Sequence, residues 1–145
     1  MATVVFYEKP GCINNTKQKT LLALAGHTVD ARNLLSHPWT ESELISFFGD
    51  MEVPRWFNPN APDVYNGIID PQSYTRKSAL KALIENPLLI KRPLLIIGDR
   101  SLVGFDKDLL ESLIGLSQNP APETETLMRE NLSDCPKKAS NATCD

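Results

Sequence analysis

The sequence lacks long apolar runs and lacks an excess of positive charge. No stretch approaches the length of about 20 apolar residues that a membrane-spanning helix needs, and residues 1–7, MATVVFY, contain no basic residue. We therefore expect neither a membrane span nor a signal peptide. With 15 Lys and Arg against 18 Asp and Glu, the formal net charge is -3, a balance that argues against binding of nucleic-acid phosphates.

Cysteine and histidine are both scarce. The 145 residues contain three cysteines, Cys12, Cys135 and Cys144, and an odd, widely spread set fits a reducing cytoplasm better than a disulfide framework. His27 and His37 have no cysteine or carboxylate at metal-ligand spacing, so we predict no metal site. The sequence has no glycine-rich phosphate-binding motif, and we expect no bound cofactor.

The chain divides into a body and a tail. From Ser117 to Asp145 there is no valine, isoleucine or aromatic residue, and three prolines interrupt the stretch. Such a segment can bury little apolar surface. We predict one folded domain over residues 1–116, which is long enough to bury a core, and a disordered tail over residues 117–145. A short helix over residues 123–132 is the alternative for part of that tail.

Strand and helix patterns follow one another along the body in an α/β order. β-Branched and aromatic runs indicate strands, and helix formers bounded by caps and glycines indicate helices. The order β-α-β, then helices, then β-β-α by itself supports an α/β sandwich. It is also the layout of a thioredoxin-like fold with a helical insertion over about residues 38–88, an assignment that depends on the Cys12 and Arg92-Pro93 motifs. The predicted strands are 3–7, 27–33, 94–97 and 101–103, and the predicted helices are 12–25, 40–48, 73–85 and 106–114.

The stretch FYEKPGCINN places Cys12 after a strand and a Pro-Gly turn, at the predicted start of the first helix. Unpaired N–H groups and the positive end of the helix dipole favour a nucleophilic thiolate at that position. Asn15 stands where a redox dithiol would carry its second cysteine, so we predict a thiol that acts alone. The alternative interpretation is a small buried side chain without a chemical role.

The Arg92-Pro93 step opens the third predicted strand. A proline at the first position of a strand is tolerated because it removes only one backbone donor. In a thioredoxin-like fold, this position also holds a cis-proline beside the reactive cysteine. Pro93 is therefore our candidate cis-proline, and an ordinary strand-initiating proline is the alternative.

Three stretches together resemble the arsenate reductase (ArsC) family, which includes the Spx-type regulators: FYEKPGC at 6–12, ENPLLIKRPLLI at 85–96 and LVGF at 102–105. The resemblance covers residues 1–116 and is strongest to the nitrogenase-associated branch. It implies a thioredoxin-like core with an inserted helical region, and a role connected with nitrogen fixation.

The resemblance also implies site residues. In the family's arsenate reductases, the cysteine that matches Cys12 attacks arsenate, glutathione resolves the adduct and glutaredoxin regenerates the enzyme. Of three arginines that hold the oxyanion, one matches Arg92, whereas the other two match Asn58 and Gly104. We predict Arg92, Asn15 and Asn58 as anion-binding residues around Cys12.

Loss of two arginines weakens the case for arsenate as the substrate, because guanidinium forks supply both affinity and orientation for a doubly charged oxyanion. Arg55 and Arg100 replace them only if loops bring these side chains close to Cys12. We therefore predict a single-cysteine thiol redox protein, with glutathione as co-substrate and glutathione, glutaredoxin or a nitrogen-fixation protein as partner. We expect a monomer that contacts neither nucleic acid nor membrane.

Two further interpretations remain open. Cys135 and Cys144 are candidate resolving thiols, although both are equally compatible with incidental tail residues. A non-catalytic, Spx-like protein-binding regulator is the alternative function, with an aromatic contact surface in the insertion. That surface would include Trp39, Trp56, Phe57 and Tyr65, unless these side chains seal the core.

Overall fold

A four-stranded sheet forms the centre of the computed structural model, which describes residues 2–116 and 122–129. Strand order is β2-β1-β3-β4. The pair β1–β2 is parallel, whereas β1–β3 and β3–β4 are antiparallel. The strands are β1 (Thr3–Glu8), β2 (Thr28–Asn33), β3 (Leu94–Ile97) and β4 (Arg100–Val103).

Helices cover both faces of this sheet, and the predicted β-α-β … β-β-α order is confirmed. The helices are α1 (Ile13–Leu24), α2 (Glu41–Phe48), α3 (Pro62–Tyr65), α4 (Arg76–Glu85), α5 (Lys107–Leu113) and α6 (Pro122–Arg129). Three single 3₁₀ turns lie between α2 and β3, at Val53–Trp56, Pro71–Ser73 and Pro87–Leu89.

The helical insertion is built from short, well-capped pieces. Thr40 caps α2 through a capping box with Glu43, as the sequence predicts, and Thr75 caps α4 through a second box with Ser78. The predicted helix over residues 73–85 therefore begins later than expected. Residues Pro71–Ser73 instead form a separate 3₁₀ turn that Asp70 caps.

Alternating side chains of β1 divide the apolar residues into two cores. Val4 and Phe6 pack with α1, α5 and α6 on one face of the sheet. Val5 and Tyr7 pack with α2 and α4 on the opposite face. This period of two follows from the pleat of a strand, and it buries the sheet between helices on both sides.

Within the predicted tail, Pro122–Arg129 form α6 against α1, so the alternative of a short helix holds for this stretch in place of disorder. Leu127 is buried in the core beside α1, and the Lys107 ammonium donates to the carbonyl oxygen of Met128 at 2.8 Å. The sequence alone does not decide between a helix and disorder here, because it has few apolar residues and the stabilising contacts come from distant elements. Residues 117–121 and 130–145 lie outside the described residues.

None of the helices in the described ranges has the length and the apolar character needed to cross a bilayer.

Candidate functional site

The candidate site lies at the end of the sheet where β1 ends and β3 begins. Tyr7 of β1 pairs with Leu94 of β3, and Leu94 pairs with Val103 of β4. Gly104 continues from Val103, and its N–H donates to the carbonyl oxygen of Pro93 at 2.8 Å. The topology therefore brings three segments together at one end of the sheet: the loop that carries Cys12, the Arg92-Pro93 step and the end of β4.

A tight turn delivers Cys12 to this edge. The Cys12 N–H donates to the Lys9 carbonyl oxygen at 3.1 Å, and Gly11 has φ 84°. Proline followed by a glycine with positive φ is the sequence signature of a type II turn. No atom lies within 4 Å of a Cβ built on Gly11, so the requirement for glycine comes from the backbone conformation.

Cys12 is the N-cap residue of α1, and the predicted position of the thiol at a helix N-terminus is confirmed. Its carbonyl oxygen accepts from both the N–H and the Oγ1 hydroxyl of Thr16, each at 3.0 Å. The Cys12 side chain is only 3% exposed. A reagent can therefore reach Sγ only when neighbouring groups move.

The Arg92-Pro93 peptide bond is cis, which confirms the cis-proline prediction. Arg92 is 9% exposed, so this residue is buried at this end of the sheet and does not lie on the solvated surface. A buried cation needs partners of opposite charge or hydrogen-bond acceptors. Its predicted role toward an anion at Cys12 stays a prediction.

Asn15 has a structural contact that the sequence does not reveal. Its side chain is 2% exposed; Oδ1 accepts from the Lys9 N–H at 3.1 Å, and Nδ2 donates to Gln18 Oε1 at 3.0 Å. The amide thus ties the start of the Cys12 turn to the first turns of α1. Anion binding by Asn15 stays a prediction.

Asn58 lies in a segment that leads toward Arg92. Its N–H donates to the Leu89 carbonyl oxygen at 2.8 Å, and its Oδ1 accepts from the Asn60 N–H at 3.0 Å. The neighbouring Phe57–Ile90 bridge aligns this segment antiparallel to residues 89–91. The side-chain oxygen of Asn58 thus closes a local turn, and its anion-binding role also stays a prediction.

The two substitute arginines differ in position. Arg100 pairs with Ile97, which pairs with Val4 near the beginning of β1. Arg100 is therefore at the opposite end of the sheet from Cys12, and it cannot replace a missing arginine there. Arg55 adjoins the Trp56 carbonyl oxygen that accepts from the Lys91 N–H at 2.8 Å, so Arg55 lies on the correct side.

Arg55 and Lys91 line one cavity of about 390 Å³ with Gly104 and the loop after β4. Asp106, Lys107 and Asp108 complete its charged lining. The sequence indicates Arg55 only as a substitute for a missing arginine, and it gives no sign of a role for Lys91. The Phe57–Ile90 bridge places both residues at this cavity, and no local pattern indicates that long-range pairing.

Two ion pairs involve side chains of α1 and β2. Lys19 of α1 pairs with Glu8 at the end of β1, with Nζ and Oε1 2.7 Å apart. On the edge strand β2, a hydrogen bond to Asp30, and then one to Tyr7, raises the pKa of the Arg32 guanidinium. Arg32 is therefore charged at every pH at which a cysteine is titrated.

Most of the predicted aromatic contact surface is buried. Trp39, Trp56 and Phe57 are at most 6% exposed, and the two indole N–H groups donate to the carbonyl oxygens of Leu34 and Met51. Of the two interpretations, sealing of the core holds for these three residues, because they fill the core of the insertion. Tyr65, at 49% exposed, remains on the outside.

His37, Cys135 and Cys144 are the remaining residues that the sequence singled out. His37 Nε2 contacts Glu43 Oε2 at 2.8 Å, which joins the loop before α2 to its first turn. The described ranges contain no group of three His, Cys, Asp or Glu side chains that would hold a metal ion. Cys135 and Cys144, the candidate resolving thiols, lie outside the described residues.

Comparison with known proteins identifies similar sequences. The model of the ArsC family matches residues 64–113. An uncharacterized 15.7 kDa protein in the draG 3′ region of Rhodospirillum rubrum is 40% identical over 144 residues, which are 99% of this chain and 95% of that protein. The global transcriptional regulator Spx 2 of Lactococcus lactis is 23% identical over 77% of this chain and 86% of that protein.

Solved structures show the same fold. An ArsC family related protein from Bacteroides fragilis has a TM-score of 0.66 at 23% identity and covers 77% of this chain and 98% of its own. The arsenate reductase from Vibrio cholerae has a TM-score of 0.60 at 21% identity and covers 79% of this chain and 98% of its own. The α/β architecture with its helical insertion is therefore thioredoxin-like, as predicted.

Proposed function

This chain belongs to the ArsC family, and on that premise we propose that it is a single-cysteine thiol redox protein that exchanges disulfides through Cys12. The observation that carries the proposal is the position of Cys12 as the N-cap of α1, at the end of the sheet where β1 ends and β3 begins. Helix N–H groups stabilise a thiolate at such a position without a separate base.

The proposed step is a thiol–disulfide exchange with oxidised glutathione. The Cys12 thiolate attacks one sulfur of that disulfide, the glutathione S–S bond breaks, and one glutathione leaves as a thiolate that takes a proton from water. The product is a Cys12–glutathione mixed disulfide. A second thiolate, from glutathione or a glutaredoxin, attacks the glutathione sulfur and returns Cys12 to its reduced form.

Cys135 is a candidate for an internal second thiolate. The end of α6 is held by Lys107, which closely follows Gly104 at the Cys12 edge. Cys135 comes six residues after Arg129, and a segment of that length spans at most about 20 Å. Attack by Cys135 on the Cys12 sulfur would release glutathione and leave an intramolecular disulfide. Cys144 is the more distant candidate.

The cellular setting is part of the same proposal. A reduced Cys12 requires a reducing compartment, which supports the cytoplasm. The resemblance to nitrogenase-associated proteins supports a nitrogen-fixation protein as the partner whose disulfide is exchanged. The charge balance supports a protein that contacts neither nucleic acid nor membrane directly, and we propose that it is a monomer.

A protein-binding regulator is the second candidate function. The similarity to the regulator Spx 2 and the 3% exposure of Cys12 favour it, because a buried thiol suits a packed structural residue. In that case Cys12 contributes only to packing. Arsenate reduction ranks behind both, since Asn58 and Gly104 replace two arginines and Arg100 lies at the far end of the sheet.

Mass spectrometry after incubation with oxidised glutathione tests the proposal. We expect the Cys135→Ser/Cys144→Ser variant to gain one glutathione on Cys12 and to lose it again with glutaredoxin and reduced glutathione. Adding Cys12→Ser must abolish the adduct. No adduct on the folded double variant, with an adduct appearing only after unfolding, would instead support the regulator.

A further inference from the structure

The cavity at the end of β4 carries charges of both signs. Arg55 and Lys91 contribute from the paired segments around the Phe57–Ile90 bridge, and the loop after β4 contributes Asp106, Lys107 and Asp108. Its volume of about 390 Å³ is within the range of small-ligand sites in proteins. It adjoins the hydrogen bond between Gly104 and Pro93, at the same end of the sheet as Cys12.

Three of these charged residues, Asp106, Lys107 and Lys91, already have partners. The Asp106 carboxylate accepts from the Leu109 N–H at 3.1 Å and so caps α5, and Lys107 donates to the end of α6. By contrast, the side chains of Arg55 and Asp108 are exposed and make no hydrogen bond or ion pair within the described ranges. These two are available to a ligand.

Glycine at position 104 keeps the cavity open. A Cβ on Gly104 would lie 3.6 Å from Lys91 Cε. Gly104 also has φ +81°, a backbone conformation that residues other than glycine rarely adopt. A larger residue would therefore strain the backbone and extend into the cavity.

The mixed lining selects a zwitterion. A simple anion would meet the carboxylates of Asp106 and Asp108, and a simple cation would meet three basic side chains. An α-amino-acid group presents an ammonium and a carboxylate on the same carbon atom, so it can satisfy Asp108 and Arg55 together. Glutathione carries such a group at its γ-glutamyl end, several bonds away from its thiol.

We propose that this cavity binds the γ-glutamyl end of glutathione, with Arg55 contacting the carboxylate and Asp108 the ammonium. The inference deepens the proposed function, since it assigns a subsite to the co-substrate of Cys12. The site would hold glutathione by its γ-glutamyl end. The thiol sulfur of glutathione would then lie at the same end of the sheet as Cys12.

S-Methylglutathione, which has no free thiol, tests binding separately from exchange at Cys12. Isothermal titration of the full chain should detect binding, and Arg55→Gln should weaken it by about ten-fold, the effect of losing one charge-assisted hydrogen bond. Asp108→Asn should weaken S-methylglutathione by a similar factor but leave its N-acetylated form unaffected. Arg100→Gln, at the far end of the sheet, is the matched control and should change nothing.

The outcomes separate the inference from the proposed function. No binding, or binding that ignores both Arg55 and Asp108, overturns the inference even if Cys12 still exchanges with the neutral bis(2-hydroxyethyl) disulfide. Binding that depends on Arg55 and Asp108, in a protein whose Cys12 exchanges with no disulfide, supports the subsite and overturns the redox function. Thermal unfolding of each variant confirms that these exposed substitutions leave the fold intact.

Discussion

At the scale of single residues, Asn15 determines the geometry of the Cys12 loop. Its buried amide accepts from the Lys9 N–H and donates to Gln18. Asn15→Ala removes a buried acceptor from that N–H, and we expect the free energy of unfolding to fall by about 1–3 kcal/mol. Urea denaturation measures this loss. Asn66→Ala, at an exposed position, is the control and should change stability by less than about 0.5 kcal/mol; equal losses would contradict the role of Asn15.

At the scale of elements, Lys107 holds the C-terminal end of α6. The ammonium donates to the carbonyl oxygens of Met128 and Leu127, where a positive charge also favours the helix dipole. We expect Lys107→Met to increase hydrogen exchange of the α6 amides by about five-fold, the effect of about 1 kcal/mol, and to leave α4 unchanged. Lys77→Met, on an exposed position of α4, is the matched control. Equal protection of α6 in wild type and Lys107→Met would contradict this attachment.

Elements also show which features local sequence can predict. The Pro10-Gly11 turn and the Thr40 capping box are each encoded within a few residues, so the starts of α1 and α2 follow from the sequence. By contrast, α6 depends on burial against α1 and on Lys107, which precedes its end by about 20 residues. The low apolar content of α6 therefore does not indicate a helix, although tertiary contacts stabilise one.

At the scale of the whole molecule, the sheet topology assembles the site. The antiparallel β1–β3 and β3–β4 pairs bring Cys12, Pro93 and Gly104 to one end of the sheet, and they place Arg100 at the opposite end. The positions of the first three follow from the thioredoxin-like fold that the element order and the family resemblance predict together. The approach of Arg55 and Lys91 to the loop after β4 requires the Phe57–Ile90 bridge, a contact across the insertion that no periodicity in the sequence indicates.

The reactivity of Cys12 is the most direct test of the central claim that it is a working thiolate. The measurement is the rate of iodoacetamide alkylation in Cys135→Ser/Cys144→Ser protein, folded and in urea, from pH 6 to pH 9. A helix-stabilised thiolate should react several-fold faster in the folded protein at pH 7. This advantage should shrink toward pH 9, because an unfolded cysteine ionises near about pH 8.5. Slower alkylation of the folded protein at every pH would contradict the account and identify Cys12 as a packed core residue.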